Sequence, residues 1–201
     1  MDLNLKIKKL EANSRESQHC LLELDEKKIN KILIKITNKI LDKKVNYQLS
    51  KLAVEETGFG KIEDKIEKNI NKTKGLIKHL LEKNINKAKG LINHLLEKNL
   101  FNPKKITNKN IYEIYKPVGL ICGVTPSTNP IATPLNYVLN SLKSRNAIIL
   151  CPNPRAYKTC FKLVDLIKSV LRKLKIPENL VNIAPKETLR GNMIIDIFNL
   201  S

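Results

Sequence analysis

The chain has 201 residues, 42% of them hydrophobic, which excludes wholesale disorder and allows one well-buried core or one domain plus an extension. Lys and Arg number 37 against 19 Asp and Glu, a formal net charge of +18. No stretch of sequence reaches the roughly 18–20 apolar residues that a membrane-spanning helix needs. The lysines are dispersed, arginine is scarce and aromatic residues are few for base stacking. The charge therefore reads as the compositional drift of an A+T-rich coding sequence, rich in Lys, Asn and Ile, rather than as a nucleic-acid footprint. The opening MDLNLKIKKLEA has charges but no apolar core, so a secretory signal is not expected. Cys20, Cys122, Cys151 and Cys160 form no CxxC pair, which fits reduced thiols and a cytoplasmic location.

In chain order, residues 13–24 read as a short helix and 26–42 as a clearer one. In the second, Ile29, Ile32, Leu33, Ile36 and Ile40 recur at helical spacing with lysines opposite. YQLSKLAVEETGFGK follows as a helix that stops at Gly58 and Gly60, the residues suited to a left-handed C-terminal cap. The chain then repeats itself: 69–83, NINKTKGLIKHLLEK, recurs as 84–98 with changes only at Thr73/Ala88 and Lys78/Asn93. Two copies are too few for a solenoid, and the block reads as a half-packed, lysine-rich helical insertion. Its two histidines, His79 and His94, have no companion ligands, and no metal site is expected.

From residue 111 the character changes. VGLICGV (118–124) and NAIILC (146–151) read as buried strands, and LVNI (180–183) as a third. Between the first two, Thr133 and Pro134 supply an N-cap and first-turn proline for a helix through about Ser144. After the second, Phe161, Val164, Ile167, Leu171 and Leu174 mark one face of a helix that Pro177 ends. Strand–helix–strand–helix–strand predicts an α/β fold in which N-terminal helices precede a partial Rossmann-like parallel sheet. No GxGxxG follows the first strand. The expected division is a helical segment over 1–68, a helical insert over 69–110 and a partial cofactor domain over 111–201. MIIDIF in the last residues has the composition of a further strand.

Three stretches, LAVEETGFGKIEDKIEKN (52–69), KPVGLICGVTPSTNPIATPLNYVLNSLKSRNAIILCPNPRA (116–156) and IPENLVNI (176–183), resemble the N-terminal part of the aldehyde dehydrogenase superfamily. The resemblance is to its CoA-acylating members, either free-standing acetaldehyde dehydrogenases or the aldehyde half of a bifunctional aldehyde–alcohol dehydrogenase. It implies an NAD-binding domain followed by a domain with a nucleophilic cysteine, which together convert aldehyde, CoA and NAD to acyl-CoA and NADH. It further implies that Asn129 is an oxyanion donor, a neutral amide aimed at developing negative charge. Thr125, Pro126, Ser127 and Thr128 would lie along the nicotinamide-ribose side, and Pro152, Asn153 and Pro154 near the adenosine end. Asn153 stands where acylating members usually have histidine, a departure that predicts weakened cofactor affinity.

The chain is less than half the family's length, and none of its four cysteines falls at the family's nucleophile position. Cys122 and Cys151 lie in apolar strands and Cys160 in a helix, where a buried inert thiol is expected. From the residues alone, the preferred reading of Asn129 is a loop amide bonding its own backbone. The leading expectation is a truncated acylating aldehyde dehydrogenase that is inactive by itself. The alternatives are a non-catalytic module that pairs with a separate catalytic half or with copies of itself, and a basic helical binder of nucleic acid or a membrane surface. An incomplete parallel sheet also predicts an unpaired apolar edge and marginal stability.

Overall fold

In the computed structural model, residues 3–81, 104–106, 111–113 and 116–189 are described. The second repeat copy, 84–98, and the MIIDIF strand expectation lie outside them. Helix α1 spans Leu3–Leu22, well beyond the expected 13–24. Its buried line, Ile7, Ser14, Ser17, Gln18 and Leu21, is mostly small or polar, so its first half carries little apolar periodicity. Helix α2 (Glu26–Leu41) starts where the Asp25 carboxylate accepts the Lys28 N–H at 2.7 Å. All five apolar residues read from its sequence are buried, each worth roughly 1.5–3 kcal/mol relative to exposure. Helix α3 (Lys43–Thr57) ends as expected at Gly58, whose φ of 69° lets its N–H reach the Val54 carbonyl.

Helix α4 (Ile62–Leu81) runs unbroken across the expected boundary at 68/69 and carries most of the first repeat copy. That copy is not a half-packed insertion. Asn69, Thr73 and Leu80 are buried, and the Asn69 amide donates to Asn46 Oδ1 at 2.8 Å and Ser50 Oγ at 3.3 Å on α3. Nor is 69–110 helical throughout: strand β1 (Lys104–Ile106) pairs antiparallel with β2 (Ile111–Glu113), Ile106 opposite Ile111.

The second sheet is parallel, in the order β3 (Leu120–Thr125), β4 (Ala147–Pro152), β5 (Val181–Ile183), with helices α5 (Ala132–Lys143) and α6 (Tyr157–Lys173) as the connections. All six residues of central β4 are buried. The sheet has α1 against one face, where Asn182 of β5 donates to Ser14 Oγ at 2.8 Å. On the other, a Cβ on Gly123 would stand 3.1 Å from the Tyr137 ring, so glycine lets α5 approach β3 closely. Among the described residues, β3 and β5 each keep one unpaired edge.

Three local expectations are corrected. The 118–124 run is not buried throughout: Val118, ahead of β3, is 76% exposed, and Val124 is 50% exposed because β3 is an outer strand whose α1-side face is only partly covered. Helix α5 begins at Ala132 with Ile131 as N-cap and no side-chain cap, so Thr133 and Pro134 both lie inside its first turn. Proline is tolerated there because first-turn N–H groups have no helical acceptor. Phe161 is 53% exposed and stacks on Tyr157, one turn back, at a centroid distance of 6.2 Å. The buried face of α6 is Cys160, Leu163, Val164, Ile167, Val170 and Leu171.

Candidate functional site

Two loops meet where β3 and β4 end. Thr125 and Pro152 are register partners, and the Asn153 N–H donates to the Thr125 carbonyl at 3.0 Å, extending the ladder by one bond past the strands. Thr125 is buried, and its hydroxyl has no hydrogen-bond partner among the described residues. An orphaned hydroxyl at the carboxyl end of a parallel strand marks the crevice where open α/β sheets take ligands. The polypeptide then leaves through an exposed Pro126, a half-buried Ser127 and an exposed Thr128 to a half-buried Asn129. The Asn129 carbonyl accepts from Thr133 N–H at 3.4 Å, which ties the loop to the start of α5. Its side-chain amide makes one long contact, 3.5 Å to Thr128 Oγ1, and no backbone-directed Asx bond among the described residues. The amide is thus left available to a ligand.

The second loop is held differently. Asn153 is exposed, and its carboxamide oxygen accepts the Arg155 N–H at 3.0 Å, capping a 3-10 turn over Pro154–Ala156. Pro152 is buried at the end of β4 and Pro154 half-buried in the turn. The structure therefore brings Thr125, Pro152 and Asn153 into direct register, with Pro126, Ser127, Thr128 and Asn129 on the adjoining loop and Pro154 across from it.

Two residues that the sequence reading passed over hold these loops. Lys65 of α4, 8% exposed, donates through Nζ to the Thr128 carbonyl at 3.3 Å. Burial, with some repulsion from Lys68, lowers its pKa below the usual lysine range. On α3, the Glu56 carboxylate accepts the Lys158 N–H, the Thr159 N–H and the Thr159 hydroxyl, each at 2.7 Å. It neutralises the amino end of α6 directly behind the Asn153 loop. The signal for Lys65 was present as Lys65-Asn69-Thr73 at i, i+4, i+8, but such a polar stripe reads as a solvated face. No local pattern announces Glu56, whose partners are about a hundred residues away.

The cysteines behave in two ways. Cys160 is fully buried, and its thiol is pushed up to about 12 by burial and then by the Glu56 charge. Cys151 is also buried, and its thiol is raised first by its hydrogen bond to Cys122 and then by burial. Cys160 matches the expected inert thiol, whereas Cys151 is buried in contact with a second sulfur. Cys122 is half-buried, and its hydrogen bond with Cys151 lowers its pKa against the opposing effect of burial.

Residues 6–196 match the model of the aldehyde dehydrogenase family. The chain belongs to that family. Among its curated relatives, an acylating sulfoacetaldehyde dehydrogenase of Cupriavidus necator is 33% identical over 174 residues, covering 87% of this chain and 32% of its own. Of solved structures, a probable aldehyde dehydrogenase from Listeria monocytogenes superposes with a TM-score of 0.75 at 25% identity, over 98% of this chain and 40% of that one. An engineered glycolyl-CoA reductase with bound NADP+ gives 0.70 at 25% identity, over 91% and 38%. This aldehyde dehydrogenase-family chain thus spans about a third of the length of the curated relatives it matches. The α/β architecture and the resemblance to acylating members read from sequence are both borne out. No helix among the described residues is long and apolar enough to cross a membrane.

Proposed function

We propose that this chain supplies the cofactor-binding portion of an NAD-dependent, CoA-acylating aldehyde dehydrogenase of the cytoplasm, and that its 201 residues alone do not oxidise aldehyde. The observation that carries this reading is the junction of the two loops past β3 and β4, with a buried Thr125 hydroxyl unpartnered among the described residues and the Asn129 amide in one long contact to Thr128 Oγ1. The residues fit a dinucleotide: Thr125, Pro126, Ser127 and Thr128 would line the nicotinamide-ribose side, and Pro152, Asn153 and Pro154 the adenosine side. NAD, when bound, accepts the hydride. Asn129 donates a hydrogen bond to the oxyanion that forms as a thiolate adds to the aldehyde, with the Lys65 contact fixing the peptide that carries it. None of the four cysteines lies on these loops to supply the thiolate: Cys20 is on α1, Cys151 and Cys160 are buried, and Cys122 lies within β3, ahead of the loop. Aldehyde and CoA are substrates of the assembled enzyme.

Titration of the purified chain with NAD by calorimetry, beside an assay for CoA-dependent aldehyde oxidation, tests both halves. Saturable NAD binding without turnover is the expected result, weakened in Thr125→Val. Robust turnover by the isolated chain would overturn the second half, and no NAD binding the first. A second reading, a module that docks a separate catalytic half, is favoured by the unpaired edge of β3 beside exposed Val118 and Val124. Co-purification with a catalytic-domain polypeptide that restores turnover distinguishes it.

A further inference from the structure

Apart from the loop crevice, the sheet carries a second chemical feature on its α1-side face. Cys122 of β3 and Cys151 of β4 have their sulfur atoms 3.3 Å apart, in hydrogen-bonding contact. The register places Cys122 opposite Ile149 and Val124 opposite Cys151, so the two thiols are diagonal neighbours on one face of adjacent parallel strands. Cys122 is half-buried beside a half-exposed Val124, whereas Cys151 is 1% exposed. One sulfur of the pair therefore faces an approach route and the other stands behind it.

We propose that Cys122 and Cys151 form a redox-active dithiol in which Cys122 meets the oxidant and Cys151 resolves the product. With hydrogen peroxide as oxidant, the Cys122 thiolate attacks one peroxide oxygen, the O–O bond breaks, and sulfenic acid and hydroxide result. The Cys151 sulfur then displaces the sulfenic oxygen, which leaves as water with the Cys151 proton, and a disulfide closes. Either sulfur can be the donor in the contact between them, and where Cys122 accepts, the bond prepares the first step by holding Cys122 below the ordinary thiol range. Closure must draw the sulfurs from 3.3 Å to about 2.05 Å across a diagonal of the sheet. A bond made that way is strained and easily reduced, the character of regulatory rather than structural disulfides. Its strain falls on β3 three residues before Thr125, so oxidation is transmitted to the loop that carries Asn129.

The test is peptide mapping of the full chain under non-reducing conditions after graded hydrogen peroxide. Lys143 and Arg145 lie between the two cysteines, so trypsin places them on separate peptides that only a disulfide joins. The expected result is a Cys122–Cys151 linked peptide formed before Cys20, half-buried on α1, reacts, and reversed by mild thiol. In Cys151→Ala, Cys122 should stop at a sulfenic acid trapped by a 1,3-dione, formed at least about threefold more slowly without the bond to Cys151. Oxidation of Cys20 ahead of the pair, or an unchanged Cys122 rate in Cys151→Ala, would overturn the proposal. So would a link that forms only in urea. The wild-type ordering decides the matter even where the variant does not fold.

Discussion

Replacing Glu56 with alanine removes a side chain that hydrogen-bonds α3 to the amino end of α6. Its carboxylate accepts three hydrogen bonds of 2.7 Å, two from backbone N–H groups and one from the Thr159 hydroxyl. Bonds to a charged acceptor contribute about 1.5–3 kcal/mol each, and a first-turn anion adds about 0.3–1 kcal/mol through the helix dipole. These figures do not add. Lys158 is exposed and water replaces the carboxylate at its N–H, whereas Thr159 is fully buried and loses its partners outright. The expected cost is therefore set by Thr159, about 2–4 kcal/mol. For a chain of this size each kcal/mol lowers Tm by roughly 2–4 °C, so Glu56→Ala should melt on the order of 10 °C lower. Glu56→Gln keeps one acceptor oxygen but loses the charge, and should fall about midway. Urea denaturation of the three proteins, at low and high salt, reads both effects. A loss below about 0.5 kcal/mol in Glu56→Ala, the range of an ordinary surface substitution, would refute the anchoring role.

Cys160 predicts an alkaline instability with a definite sign. Its thiol ionises near the ordinary 9.0 when unfolded and near 12 when folded, so above pH 9 the unfolded state binds fewer protons. The stabilisation is intact below pH 9 and is lost as pH rises toward 12, at up to about 1.4 kcal/mol per pH unit from this group. Denaturant melts should show the gap between wild type and Cys160→Ala narrowing over that window; a pH-independent gap would count against it. Asn129→Ala should leave stability within about 0.5 kcal/mol. Asn146→Ala, which loses bonds to Gly119 N–H, the Ser144 carbonyl and Ser144 Oγ, should cost about 2–3 kcal/mol, and equal losses in the two melts would make Asn129 a structural residue. Thr73 is fully buried with a hydroxyl unpartnered among the described residues, so Thr73→Val should raise stability by up to about 1 kcal/mol in the same melts, and destabilisation would mean the hydroxyl is satisfied.

What could be read from sequence depended on whether the signal was local. The α2 face was legible because five aliphatic residues at helical spacing can bury only one way. The Gly58 stop was legible because a left-handed cap favours glycine. The parallel sheet followed from three apolar runs separated by helix-length connections. Alpha1 was half missed because its contact line is serine and glutamine, which pack and hydrogen-bond without apolar periodicity. The β1–β2 ladder was missed because three-residue strands are shorter than any window in which alternation can be told from chance. Phe161 was misassigned because bulk was taken for burial, whereas its neighbour Cys160 points inward.

The expected boundary at 68/69 separated the very residues that the site needs together. Lys65 lies on one side of it and Asn69 on the other, a single turn apart on α4. Lys65 grips the Thr128 carbonyl ahead of Asn129, while Asn69 locks α4 to Asn46 and Ser50 of α3. Alpha3 in turn carries Glu56, which fixes α6 behind the Asn153 loop. Both loops are therefore positioned by one helical pair, and Lys65, Lys68 and Asn69 of α4 line a small cavity with Thr128 and Asn129. A displacement of α4 along its axis would move the Asn129 loop through Lys65 and, through the asparagine contact, strain the α3 end that holds the opposite rim. The first copy of the duplicated segment is thus part of the scaffold of the candidate site, and the N-terminal helices are the reason its two loops keep their register.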